Sequence, residues 1–157
     1  MSDNKSTFLI FIPKIDPKKE NYKSFQSYYD IFIFAMSLFF LAMQVIILKM
    51  SFSPDSIQMN SVMPILIGAL FVVIGFVMPK FTHNYFVGIK VPWTLSSAEN
   101  WKKTHKFAGP IWVAGGILII LSGFLLGNYA FYISMTIIVL MTLVPIIYSY
   151  RLFKNNI

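Results

Sequence analysis

The sequence predicts an all-α, polytopic membrane protein with four transmembrane helices and an amphipathic helix in the loop between the second and the third. Of its 157 residues, 57% are hydrophobic and 12% are charged, a more apolar balance than soluble domains have. The apolar residues gather in four runs, each long enough to cross a hydrocarbon core as a helix. No Asp, Glu, Lys, Arg or His lies inside any of these runs.

Residues 1–30 are predicted to form a cytoplasmic segment with an interfacial helix. Asp16 followed by Pro17 is typical of a helix N-cap and first helical position. We expect this helix to lie on the inner membrane surface, or to run into the first span, with one aromatic face anchored in lipid rather than packed on a partner. That face holds Tyr22, Phe25, Tyr29 and Phe32. The apolar run 8–12 is too short for a signal-peptide core, so the chain is expected to keep its N-terminus.

Residues 31–157 form the predicted four-helix membrane domain. Pro64 lies near the start of the second span, where its missing N–H costs little, and Pro145 should kink the fourth span. Only Gly127 and Asn128 separate the last two spans, which predicts a tight antiparallel hairpin. The four spans are predicted at 31–48, 62–78, 107–126 and about 129–150.

Small residues recur every seven positions in three of the spans. This spacing keeps them on one helix face, where two backbones can approach closely. Because glycine is common in membrane helices, the pattern indicates either a packing seam or a coincidence. The residues are Ala35 and Ala42 in the first span, Gly68 and Gly75 in the second, and Gly109, Gly116 and Gly123 in the third.

The basic residues predict the orientation. With a cytoplasmic N-terminus, 12 of the 13 Lys and Arg residues lie inside and only Lys49 faces out. We therefore expect a multi-pass protein of the cell membrane, with both termini and the loop 79–106 in the cytoplasm. Anionic lipid of the inner leaflet then accounts for the net charge of +7, and direct nucleic-acid binding is not expected.

The loop 79–106 should contain an amphipathic helix. Ser96 and Glu99 fit the capping-box pattern S-x-x-E, which predicts a helix from about Ser97 with Ser96 as its N-cap. Residues three and four apart on that helix share a face. One face would hold Trp101, Thr104, His105 and Ala108, and the face toward headgroups and water would hold Lys102, Lys103 and Lys106.

The candidates for a metal or catalytic site are His83, Glu99 and His105. Glu99 and His105 are six residues apart, a spacing that does not place them on one helix face. Cysteine is absent, and the sequence contains neither H-E-x-x-H nor a serine nucleophile elbow. We therefore expect no enzyme activity, no metal and no cofactor. The lack of ionisable residues in the spans also argues against an ion-coupled transporter.

The loop carries a longer motif. It runs Asn84-Tyr85-Phe86-Val87-Gly88-Ile89-Lys90, then Pro92-Trp93-Thr94-Leu95, then Glu99, then Trp101-Lys102-Lys103-Thr104-His105, and ends at Gly109. Together with the early segment Ile12-Pro13-Lys14-Ile15-Asp16-Pro17, Asn21, Tyr22 and Phe25, it resembles the SdpI family over about residues 8–150. The resemblance implies an integral membrane immunity protein that protects a bacterium from a secreted, membrane-active toxin peptide. It also implies signalling, in which the protein holds a cytoplasmic repressor protein at the membrane.

The chain departs from the family pattern in several places. The resemblance implies an extra helix pair ahead of the early segment, where this chain has only the apolar run 8–12. Lys90 stands where the family usually has Arg, Val91 where Thr is common, and Phe76 where Asn is common. At the first of these positions lysine offers a point charge in place of the planar fork of arginine.

The motif leaves two interpretations of the loop open. Either Trp93 and Trp101 anchor the loop in the membrane interface, or residues 92–95 and the helix face of Trp101 and His105 form a defined surface for a cytoplasmic protein or for the channel-blocking act of immunity. The alternative functions for the whole chain are a structural or accessory subunit of a membrane complex, or a small transporter component.

Overall fold

The computed structural model describes residues 15–125 and 127–155, without the side chain of Asp55. Within these ranges the chain is helical and has no strand, and four helices are long and apolar enough to cross a membrane. This confirms the predicted all-α, polytopic fold; the run 8–12 and the early segment before Ile15 lie outside the described residues. The helices are α1 (Lys19–Tyr22), α2 (Gln26–Phe52), α3 (Met59–Val77), α4 (Pro92–Ser96), α5 (Ala98–Leu125) and α6 (Ala130–Lys154).

The membrane helices extend beyond the apolar runs that predicted them. α2 begins at Gln26 rather than at residue 31, because polar residues continue the backbone hydrogen bonding of the helix past its apolar part. α3 begins at Met59, so Pro64 lies inside it and not in its first turn. α5 is continuous from the loop helix into the third span, with Pro110 inside it.

The seven-residue glycine pattern is a packing seam between α3 and α5. A Cβ placed on Gly68 would lie 2.6 Å from the carbonyl oxygen of Gly116, and one on Gly75 would lie 2.8 Å from that of Gly109. At Gly123 the carbonyl oxygen of Ser61 would be 2.7 Å away. The two backbones are therefore too close for any side chain between them, which excludes coincidence.

Pro145 lies inside α6, and a side chain of α5 takes over the hydrogen bond that it removes. A proline has no N–H to donate to the carbonyl four residues earlier, which here belongs to Met141. The indole Nε1–H of Trp112 donates to that carbonyl oxygen at 3.0 Å. In hydrocarbon an unpaired carbonyl is costly, so this contact stabilises the proline turn and joins α5 to α6.

α2 packs more loosely than the other three membrane helices. Among the membrane helices its main contact is with α3, along a face that contains Ala35 and Ala42. Within α2, all of which the structure describes, Tyr29 is the only buried residue. Large apolar side chains such as Phe34, which is 69% exposed, point outward. This surface is suited to lipid.

Candidate functional site

A layer of chain covers one end of the helix bundle. We call it the cap: residues 16–25, which precede α2, together with residues 81–105, which contain α4 and the first two turns of α5. The cap contains the motif of the loop as far as His105. The connections α2–α3 and α5–α6 lie together at the opposite end, where Nδ2 of Asn60 donates to Oδ1 of Asn128 at 3.1 Å.

Asp16 joins the two parts of the cap. Its carboxylate, 2% exposed, accepts hydrogen bonds from the backbone N–H of Lys18 at 2.7 Å and from the backbone N–H of Tyr85 at 3.0 Å. The hydroxyl of Tyr22 donates to it at 3.0 Å, and burial together with this carboxylate raises the pKa of that hydroxyl. Three donors satisfy a buried carboxylate without a cation. The predicted helix from Pro17 is wrong: α1 is a single turn, because the side chain of Asp16 closes a local turn and bonds the distant loop.

The aromatic face of the N-terminal segment packs on protein. Tyr22 and Phe25 are buried, and the ring centroids of Phe25 and Phe81 are 5.5 Å apart in a tilted contact. Phe32 meets the same Phe81 ring edge-on at 6.0 Å. The predicted lipid anchor without a partner is therefore wrong. Its partner is Phe81 in the chain after α3, which is 56 residues from Phe25 and 49 from Phe32, so helical periodicity could not reveal it.

Asn84 folds the loop on itself. It is 0% exposed, and its Oδ1 accepts from the backbone N–H groups of Phe86 at 3.0 Å and Val87 at 2.7 Å. Its Nδ2 donates to the carbonyl oxygens of Thr82 at 2.8 Å and Val87 at 3.1 Å. A side chain that bonds its own nearby backbone in this way fixes an irregular segment in one conformation.

Trp101 and His105 form the centre of the cap. Trp101 is 1% exposed, its Nε1–H donates to the carbonyl oxygen of Phe81 at 2.9 Å, and its ring stacks on His105 with centroids 4.1 Å apart. His105 pairs through Nδ1 with the carbonyl oxygen of Trp101 at 2.8 Å, and Nε2 accepts from the backbone N–H of Ile89 at 2.9 Å. This arrangement requires a neutral imidazole with its proton on Nδ1. Both side chains are therefore internal, which rules out Trp101 as a lipid anchor.

Gly88 allows the loop to approach this pair. Its φ is +126°, a conformation that side chains rarely adopt. A Cβ at this position would collide with Nε2 of His105 and would lie 3.0 Å from the indole ring of Trp101. The motif therefore requires glycine here on two independent grounds.

The three candidate metal or catalytic residues take separate roles. Nδ1 of His83 lies 2.7 Å from Nζ of Lys18, and burial, followed by the charge of Lys18, lowers the pKa of His83. Glu99 is exposed and pairs with Lys103 at 2.8 Å. Among the described residues no three His, Asp or Glu side chains converge.

The short helix α4 positions Trp93. Its extent also shows that the predicted N-cap of the next helix, Ser96, is wrong. Pro92 starts this short helix, which ends at Ser96. Ser96 is therefore helical, and Ser97, with extended backbone, caps α5 by accepting from the N–H of Asn100 at 3.1 Å. The Thr94 hydroxyl accepts from the N–H of Val91 at 3.0 Å and holds the start of α4.

Trp93 packs against the end of α6. Its ring meets Tyr150 at 5.3 Å and Phe153 at 6.4 Å between centroids. Its Nε1 is buried, and it has no hydrogen-bond partner among the described residues. Trp93 therefore joins the cap to α6 through its ring alone.

Asn100 is a cap residue that the sequence reasoning missed. It is 0% exposed, its Nδ2 donates to the carbonyl oxygen of Ser149 at 3.0 Å, and its Oδ1 accepts from the hydroxyls of Ser149 at 2.7 Å and Thr104 at 3.0 Å. The network joins the start of α5 to the end of α6. A signal was present, because Asn100 and Thr104 are four apart and so share a helix face.

The predicted site residues divide into two groups by exposure. The first group is buried and builds the cap and its junction with the seam, and the second faces outward or lies partly exposed around it. The buried group is Asn84, Thr94, Trp101, Thr104, His105 and Gly109; the other group is Tyr85, Gly88, Lys90, Pro92, Trp93, Leu95, Glu99 and Lys103.

Comparison with known proteins gives two matches. The model of the SdpI/YfhL protein family matches residues 80–149. The protein named Immunity protein SdpI of Bacillus subtilis (strain 168) is 22% identical over 118 residues, which are 75% of this chain and 56% of that protein. The chain thus spans little more than half the length of this curated relative. No solved structure matches. The family match contains all of the loop motif from Asn84 to Gly109, which confirms the resemblance to the SdpI/YfhL family that this motif predicted.

Proposed function

We propose that the chain is an integral membrane immunity protein that protects a bacterium from a secreted, membrane-active toxin peptide, with the cap as its recognition surface. The relative's name supplies the immunity function, and the family match covers the loop part of the cap. The observation that carries the proposal is that the motif residues assemble into one layer around Trp101 and His105. A function that consists of recognition requires such a preformed surface.

The buried polar groups of the cap favour a single conformation. Asp16, Asn84 and His105 each make hydrogen bonds to backbone groups of the loop. Breaking one of these contacts would leave a buried polar group unpaired, at a cost of about 1–3 kcal/mol. A surface held in this way loses little conformational freedom when a partner binds, and preorganisation of this kind raises affinity.

The predicted site residues that face outward should make the contacts with a binding partner. Trp101 and His105 are each 1% exposed, so they act by positioning and not by touching a partner. Tyr85, at 42% exposure, and the exposed residues Lys90 and Pro92 lie on the outer side of the same loop. We assign recognition to these three residues. Under the orientation that the basic residues predict, this surface faces the cytoplasm, where it is also available to a repressor protein.

Survival under toxin challenge tests the proposal. The full chain is expressed in a sensitive bacterium and challenged with the peptide against which the Bacillus subtilis relative gives immunity, and membrane abundance is measured by immunoblot. The wild type should protect. Tyr85→Ala combined with Lys90→Ala should lose protection at unchanged abundance, because contact energy concentrates in few residues.

Lys102→Ala is the matched control, since it removes an exposed lysine outside this surface and should keep protection. Trp101→Ala should lose both the protein and the protection, because it empties the centre of the cap. A wild-type chain that accumulates in the membrane without protecting would refute the immunity function. Full protection by the double variant would refute the assigned surface only.

A further inference from the structure

An apolar cavity of about 260 Å³ lies directly beneath the cap. Phe32 of α2, Ile74 of α3 and Trp112 of α5 line it from the bundle side, and residues 86–89 line it from the cap side. The volume exceeds the ~150 Å³ of an apolar protein cavity that binds benzene. α2 packs mainly on α3, so the cavity lies beside the most loosely attached membrane helix.

Several polar atoms along this wall are already paired within the protein. The carbonyl oxygen of Phe81 accepts from Trp101 at 2.9 Å, and the N–H groups of Val87 and Ile89 donate to Asn84 and His105 at 2.7 and 2.9 Å. The Nε1–H of Trp112 likewise donates to the carbonyl oxygen of Met141. The wall is therefore mostly hydrocarbon. A peptide backbone in this space would lose its hydrogen bonds to water without replacement, whereas an acyl chain loses none.

Two lysines flank the cap end of the cavity. Nζ of Lys90 donates to the carbonyl oxygen of Phe86, a lining residue, at 3.0 Å. Nζ of Lys80 lies 5.8 Å from the ring centroid of Tyr28, one helical turn before Phe32. Both lysines are exposed. Among the described residues the lysine–carboxylate pairs are Lys23–Glu20 and Lys103–Glu99, so neither flanking lysine is neutralised by a carboxylate.

We propose that the cavity is a binding site for one anionic phospholipid. An acyl chain occupies the space between Phe32, Ile74 and Trp112, and the phosphate of the headgroup lies against Lys80 and Lys90. Cation and hydrocarbon are arranged in the order that a phospholipid requires, because the lysines are at the cap and the apolar wall extends along the membrane helices. Because neither lysine is paired with a carboxylate, their positive charges favour an anionic over a zwitterionic headgroup.

Native mass spectrometry of the purified, delipidated full chain tests the site. The protein in detergent is titrated with phosphatidylglycerol or with phosphatidylcholine of the same acyl chains. The wild type should retain one phosphatidylglycerol, and each lysine should contribute about a fivefold preference over phosphatidylcholine. Ile74→Trp fills the cavity and should lose both lipids, while Ile117→Trp, on the exposed face of α5, should bind like the wild type.

The headgroup contacts have a separate test that does not disturb the core. Lys80→Gln combined with Lys90→Gln changes exposed side chains only, and it should abolish the preference for phosphatidylglycerol while the variant still binds phosphatidylcholine through the acyl-chain cavity. Lys102→Gln combined with Lys106→Gln, also exposed, should keep the preference. A preference that survives loss of Lys80 and Lys90 overturns the proposal. Unchanged lipid binding by Ile74→Trp also overturns the proposal. If this variant binds lipid like the wild type but loses protection against the peptide, the cavity binds an apolar side chain of the peptide instead.

Discussion

Asn84, Trp101 and His105 show how single side chains hold the cap in one conformation. Each is buried, and each hydrogen-bonds the backbone of the loop 81–91 or of its flank. Such groups are costly to bury unless they are paired, so an alternative loop conformation would leave several of them unpaired at once. Residues of a sequence motif can therefore contribute to function by holding the loop in one conformation, without contacting a partner themselves.

Gly88→Ala should destabilise the protein by roughly 3 kcal/mol, as the sum of backbone strain and a steric clash. The φ of +126° disfavours a side chain, and the new Cβ would collide with Nε2 of His105. The measurement is thermal unfolding of the purified protein in detergent. Gly127→Ala is the matched control: its φ is +47° but nothing lies within 4 Å of its Cβ, so it should cost only ~1 kcal/mol. Equal losses at the two positions would contradict the close contact described for Gly88.

At the scale of helices, the sequence predicted what depends on local composition and missed what depends on distant contacts. Four apolar runs located four spans because each run alone meets the length requirement of a bilayer. The glycine spacing indicated which face of each helix could pack closely, since the period belongs to one helix, but the structure was needed to show that α3 and α5 are the partners. The single-turn α1 was missed because Asp16 bonds Tyr85, 69 residues away.

Trp112→Phe should destabilise the packing of α5 on α6 by about 1–3 kcal/mol, because it leaves the carbonyl of Met141 unpaired beside Pro145. Trp93→Phe provides the comparison. It removes an indole Nε1 that has no partner among the described residues, so it should cost less than Trp112→Phe although the two substitutions delete the same atoms. Thermal unfolding in detergent measures both. An equal or larger loss for Trp93→Phe would show that the hydrogen bond from Trp112 to Met141 adds no stability beyond that of the ring atoms which both substitutions remove.

At the scale of the whole molecule, the chain has two ends of different character. The cap end contains the buried network and most of the basic residues, whereas the opposite end consists of short connections. The 3₁₀ turns Pro54–Ser56 and Gly127–Tyr129 lie in these connections. The two segments of the cap, 16–25 and 81–91, pack on one another. Because the first of them leads directly into α2, this contact fixes the cap end of α2 to the bundle. An amphiphile bound beside α2 would lie at this junction.

The last prediction concerns which end faces the cytoplasm. The contact between Asn60 and Asn128 places both connections at the end opposite the cap, and among the described basic residues all but Lys49 lie on the cap side of the predicted spans. Since basic residues are retained on the inner side, the cap should be cytoplasmic. Alkaline phosphatase fused after Asn60 or after Asn128 should be active, and fusions after Ser97 or Asn156 should be inactive, because this enzyme requires the outer compartment for its disulfides. An active fusion after Ser97 would reverse the orientation. The cap would then face outward, where it would meet a secreted peptide directly and could not hold a cytoplasmic repressor.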